Sequence, residues 1–186
     1  MIAPVLVILL FIFLFPGQSS AADKKTKRPA EAHPVPAAAT PVDVNDVNLN
    51  TQFETAESFL KKGKPDEALR LFQAVYSYTR DTLALLKSVK GAYEKALSGA
   101  TLEQAKKEDL FLKLERVSSL TVRYTDIKGE AAYHLGEIYK AKGNPEQARK
   151  YLLEACQTVN FSLDSSSTWM KAKNLLLVLS NLEGEF

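Results

Sequence analysis

The residues of this 186-residue chain that could do chemistry are few: one thiol, two imidazoles, a mixed run of acids and bases, and a serine cluster. Cys156 is the only cysteine, so no intramolecular disulfide framework can form. His33 and His134 are the only histidines and lie 101 positions apart, so no zinc site can be assembled at normal ligand spacing. Glu103, Glu108, Asp109 and Glu115 alternate with Lys106, Lys107, Lys113 and Arg116, which reads as a solvated helix face with i,i+4 pairing. Ser165, Ser166 and Ser167 have no base paired to them and read as a loop and helix cap. Gly129 and Gly136 are not preceded by a strand, so they do not make a phosphate loop. No catalytic grouping emerges, and neither a cofactor nor a metal is expected. Basic and acidic residues nearly balance, at 24 against 22, which argues against a nucleic-acid binder.

The elements that position these residues begin after a distinctive N-terminal stretch. Residues 2–15 form an apolar run, followed by Pro16-Gly17-Gln18-Ser19-Ser20-Ala21-Ala22. The run is short for a membrane span of roughly 20 residues and fits the apolar region of a secretory signal. Residues 1–22 are therefore expected to be a signal peptide, cut after Ala21 or Ala22. No Lys or Arg precedes the run, and Lys24, Lys25, Lys27 and Arg28 follow it. That charge order leaves two explanations open: a start upstream of Met1, or an uncleaved anchor in the inner membrane. Residues 23–48 hold Pro29, Pro34, Pro36 and Pro41 and few large apolar side chains. Such a composition predicts a flexible linker.

From residue 49 to 183 the pattern predicts helices throughout, with no alternating strand pattern. Gly63-Lys64-Pro65-Asp66-Glu67 ends one helix and starts another. Gly143-Asn144-Pro145-Glu146-Gln147 repeats that logic, with Asn144 as N-cap. Gly99 predicts a helix end, and Thr101 with Gln104 a capping box. Leu83, Leu86, Val89, Tyr93 and Leu97 form one apolar stripe; Leu102, Ala105, Leu110, Leu114, Val117 and Leu120 form another. These predict an irregular helical hairpin over 83–124. A capping helix with Trp169, Met170, Ala172, Leu175, Leu176 and Leu179 is expected over about 166–182.

Two segments match at an offset of 80 residues. Ala56, Phe59, Gly63, Ala68 and Phe72 correspond to Gly136, Tyr139, Gly143, Ala148 and Leu152. Two antiparallel helices joined by a tight turn must approach closely, so a small residue is needed on each. Leu135, Gly136, Tyr139, Gly143, Ala148, Leu152 and Ala155 together resemble the tetratricopeptide repeat, a helix-turn-helix unit of about 34 residues. The first copy departs from the pattern at Gln52 and Thr55, where the family prefers large apolar residues. Arg80 and Asn160 stand where it usually has a closing proline.

The resemblance implies an all-α fold of antiparallel helix-turn-helix repeats, stacked as a short solenoid with a C-terminal capping helix. Repeats are expected at about 49–82 and 129–162. It also implies a protein or peptide partner held on a concave face lined by the first helix of each repeat. Projected onto this chain, that face carries Phe53, Glu57, Leu60 and Lys61 in the first copy and Glu130, Tyr133, Glu137 and Lys140 in the second. Cys156 has two readings, a buried structural thiol or an intermolecular disulfide in an oxidising envelope. The expected function is a non-catalytic adaptor or assembly factor of the bacterial cell envelope. The alternatives are a self-associating structural module and an accessory tethering subunit of a cell-wall enzyme.

Overall fold

Helix punctuation decides the architecture. A computed structural model of the chain describes residues 42–99 and 102–184. These form five helices: α1 (Leu49–Lys61), α2 (Pro65–Gly99), α3 (Gln104–Ala141), α4 (Pro145–Thr158) and α5 (Thr168–Ser180). No strand occurs among the described residues. The expected signal or anchor at 1–22 and the linker as far as residue 41 lie outside them.

The two turns of the repeat are built alike. Gly63 and Gly143 sit at φ +70° and +71°, a left-handed conformation in which a side chain would be strained. In the first turn the Gly63 and Lys64 amides donate to the Leu60 and Phe59 carbonyls, at 3.0 and 2.9 Å. In the second, Gly143 and Asn144 donate to Lys140 and Tyr139 at the same distances. Each pair of bonds satisfies carbonyls left open at a helix end. Pro65 and Pro145 then start the next helix, where a missing amide hydrogen costs nothing. Only the second turn has a side-chain cap: Asn144 Oδ1 accepts from the Gln147 amide at 3.1 Å. Ser167 caps α5 in the same way, its Oγ accepting from the Met170 amide at 3.2 Å.

The hairpin expected as a separate unit over 83–124 does not exist as one. α2 runs 35 residues without a break and α3 runs 38. No glycine or proline stands between Pro65 and Gly91, so nothing stops α2 where the first repeat would close. The second helix of the first repeat and the first helix of the next are each extended into a shared antiparallel arm. At 1.5 Å per residue each helix is roughly 50–57 Å long. The 80-residue offset is one ordinary repeat lengthened by this arm. Thr101, expected to cap α3, lies outside the described residues; Glu103 holds the N-cap position and makes no side-chain cap bond.

The linker also ends earlier than expected. Val42 and Val44 pack against the main core, so residues 42–48 belong to the folded body. Asn45 Oδ1 accepts from the amides of Val47 and Asn48, and Asn48 Oδ1 accepts from the Asn45 amide. This reciprocal turn delivers Asp46 to α3, where it accepts from the Tyr124 hydroxyl and lies 3.3 Å from Arg123.

One core, with Phe72, Val75, Leu135 and Ala56 fully buried, joins α1, α2 and α3. A second, around Leu152, Ala155 and Ala172, joins α3, α4 and α5. Small residues make the close approaches. A Cβ on Gly136 would lie 2.5 Å from Leu152 Cγ and 3.3 Å from the Leu152 backbone nitrogen. Gly129 is equally tight, with a Cβ there 2.3 Å from Val159 Cγ1. Thr79 is the one fully buried polar side chain in this core, and its hydroxyl donates back to the Val75 carbonyl at 2.9 Å.

Candidate partner-binding face

His134 joins α1, α2 and α3. Its ring stacks on Phe72 at 4.7 Å between centroids and meets Phe53 edge-on at 6.0 Å. Nδ1 lies 3.0 Å from Glu137 Oε2, and Nε2 lies 3.6 Å from Glu57 Oε1 on α1. The imidazole is thus a half-buried bridge between helices. Phe53, expected on the open face, turns its ring edge toward Phe72 and is half-buried. Glu57 is also half-buried, turned toward His134.

Tyr133 is corrected most clearly. Only 9% of it is exposed, it belongs to the second core, and its hydroxyl donates to Glu137 Oε1 at 2.5 Å. Its neighbours decide this: α4 and α5 both close over that side of α3. Glu137 receives hydrogen bonds from two directions. Burial pushes its carboxyl up, but the bonds from His134 and Tyr133 outweigh burial and hold it below its usual value. The side chain is fixed as an anion about one turn before the C-terminal end of α3.

Two shallow apolar grooves flank that point. On the α1 side a hollow of about 220 Å³ is lined by Leu60, Pro65, Glu137, Ile138 and Ala141. On the α5 side a hollow of about 340 Å³ is lined by Glu137, Lys140, Ala141 and Leu175. Glu137 and Ala141 belong to both, so the last turn of α3 forms a low ridge between them. Ala141 keeps the ridge low because its side chain is a single methyl.

Of the eight residues projected onto the face, Leu60, Glu137 and Lys140 come together here. Lys61 is exposed at the end of α1 but lines neither groove. Glu130 lies two turns back along α3, beside a different hollow with Asp126, Val159 and Trp169. Ala141, Ile138, Pro65 and Leu175 line the grooves as well, although none of them belongs to the expected face. Ala141 falls one turn beyond Glu137 on the same helix face, a spacing that could have found it. Leu175 comes from α5, the expected capping helix, which thus also supplies one wall of a groove.

The opposite side of the stack carries a second bridge. Glu154 on α4 accepts from the Tyr76 hydroxyl on α2 at 2.5 Å and lies 2.7 Å from Lys128 Nζ on α3. Burial raises its carboxyl, and these two partners outweigh burial and lower it. Cys156 is half-buried between α4 and α5, its sulfur 3.9 Å from the Trp169 carbonyl oxygen. Burial pushes its thiol up, away from the thiolate that disulfide exchange requires.

Among the described residues no group of three His, Cys, Asp or Glu could hold a metal ion. No described helix is long and apolar enough to cross a membrane. What the geometry defines is a helical-hairpin repeat protein with grooves between its successive first helices. Residues 130–158 match the tetratricopeptide repeat family, so this part of the chain, the end of α3 with α4, is a repeat of that kind. α1 and the first part of α2 reproduce the turn geometry outside the matched residues. Tetratricopeptide repeats mediate protein–protein interaction. No curated protein and no solved structure matches the chain.

Proposed function

We propose that the chain is a non-catalytic adaptor that holds a segment of a protein partner across the α3 ridge. The observation that carries this reading is the pair of apolar grooves sharing Glu137 and Ala141. A partner segment would place one apolar side chain on each side of Ala141. The Glu137 carboxylate, already fixed by His134 and Tyr133, would offer an orienting charge without further ordering cost. Few large side chains line either groove, so a partner of modest affinity fits better than a tight one. A location in the bacterial cell envelope belongs to the same proposal, supported by the apolar run at 2–15 and the small residues after it.

The test places a photo-crosslinking side chain at Lys140 and identifies what it captures in cells. One dominant protein is expected, and Ala141→Arg should abolish its capture. Ala141 is exposed, so the arginine should leave the melting curve unchanged. Undiminished capture by the arginine variant would count against the grooves as the binding site.

A further inference from the structure

We infer that the side of the stack built by the second helices, α2 and α4, holds a phosphate group between Arg80 and Lys150. Gln73, Tyr76, Ser77 and Arg80 recur at three- and four-residue spacing and so share one side of α2. Lys150 and Tyr151 of α4 stand across from them, and the six residues line a hollow of about 340 Å³. Arg80 occupies the position where the resembled repeat usually has its closing proline. Without a proline there α2 continues, and the guanidinium is carried on an unbroken helix. The site lies on α2 and α4, so it does not depend on the grooves around Ala141.

The hollow has donors to spare. Among the described residues the Ser77 hydroxyl, the Tyr151 hydroxyl and the Lys150 ammonium have no hydrogen-bond or ion-pair partner. Burial, with Tyr139 and Glu154 nearby, pushes the Tyr151 hydroxyl up, so it keeps its proton and can donate. Arg80 sets Nε and Nη2 against one oxygen of Asp81, both at 2.9 Å, which leaves its Nη1 hydrogens open. Both members of that pair are exposed, and an exposed pair holds its partners weakly. The carboxylates bonded to the lining are already matched, Asp81 by Arg80 and Glu154 by Tyr76 and Lys128. What remains is two cations and two hydroxyls, from two helices, facing one polar space. A single carboxylate has one charge and two oxygens, too few for that set. A phosphate monoester carries about −1.5 to −2 charges at pH 7 and three strong acceptor oxygens, which match both cations and both hydroxyls. No Leu, Ile, Val or Met is among the described residues that line the hollow, so recognition is of the phosphate and not of an apolar body attached to it.

The test uses the full chain, isotope-labelled at tyrosine Cζ, with the Tyr151 resonance assigned from Tyr151→Phe. Inorganic phosphate, methyl phosphate and acetate are titrated separately at constant ionic strength. The Tyr151 resonance should move and saturate with the phosphates, and acetate should need about ten times the concentration for the same shift. A lower half-point for inorganic phosphate assigns the site to the free anion; a lower one for methyl phosphate assigns it to an ester. Arg80→Gln and Lys150→Gln should each raise the half-point about tenfold, the loss of one charge-assisted hydrogen bond. Both side chains are exposed, so the helical signal should stay unchanged. Lys62→Gln with Lys95→Gln removes two positive charges elsewhere and should leave the titration as it is. The inference is overturned by a Tyr151 resonance that saturates with neither phosphate, by an equal response to acetate, or by an equal half-point in the Arg80 and Lys150 variants. An equally large loss in the Lys62 and Lys95 variant overturns it too, since net charge and not this hollow would then draw the anion.

Discussion

Gly136 shows how much of the fold hangs on one missing methyl. Alanine there would gain about 1 kcal/mol of helix propensity over glycine. The added carbon would meet Leu152 Cγ at 2.5 Å and its backbone nitrogen at 3.3 Å. The side-chain contact could relax by a rotamer change, but Leu152 is fully buried and the backbone nitrogen belongs to α4. Overpacking of this kind costs about 1–3 kcal/mol, which exceeds the propensity gain. Gly136→Ala should therefore lower the urea midpoint, equivalent to about 1–2 kcal/mol at an unchanged slope. An equal or higher midpoint would show that α3 and α4 can separate at little cost. The requirement for a small residue here was legible from spacing alone, because Gly136 and Ala148 recur at the offset of Ala56 and Ala68. The tight contact of Gly129 with Val159 was not legible, since it depends on how the chain leaves α4.

At the scale of elements, the turns were legible and the long helices were not. Gly63-Lys64-Pro65 and Gly143-Asn144-Pro145 state their backbone conformation in residue types that few other structures tolerate. The join between the first repeat and the arm carries no such mark. Leu83 and Leu86 merely continue the stripe of Phe72 and Val75, and an expected family length of 34 residues suggested a boundary that no residue enforces. The docked segment 42–48 was missed for a related reason: two valines are too few to show a pattern, and their burial depends on where α3 lies. If the arm is an appendage, replacing residues 87–116 by a short Gly/Asn turn should leave the repeat body folded. Repeat units contact only their neighbours, and the buried residues already end at Leu86 and Val117, with only Val89 and Tyr93 among the described residues of the deleted stretch packed, partly buried, against that core. The shortened chain should keep a cooperative melting transition, with about 1 kcal/mol or less from closing a shorter loop and a further loss on the order of 1–3 kcal/mol from removing the partly buried Val89 and Tyr93. Loss of the cooperative transition would mean that the arm is part of the folding unit.

Across the whole molecule, helices from different repeat positions are joined by carboxylates that each receive more than one hydrogen bond. Glu137 collects His134 and Tyr133 and, through His134, reaches Glu57 on α1. Glu154 ties α4 to both α2 and α3. Both carboxyls are held below the ordinary glutamate value of 4.5 in the folded chain. The unfolded chain therefore binds more protons than the folded one between the folded value and 4.5, so stability rises with pH across that interval. Their contribution is complete above 4.5 and is lost as the pH falls through the lower folded values. Glu154→Gln isolates one of the two. At pH 7 it removes a hydrogen-bonded charge beside Lys128, whose side chain is only 18% exposed, and should cost about 1–2 kcal/mol. As the pH is lowered the wild-type chain protonates Glu154 and loses the same interaction, so the two chains should converge. Urea unfolding at pH 7, 5, 4 and 3 measures this directly. The gap should hold between pH 7 and 5 and shrink below 4.5. A gap of constant size down to pH 3 would mean that shape at position 154, and not the carboxylate charge, holds the second, third and fourth helices together.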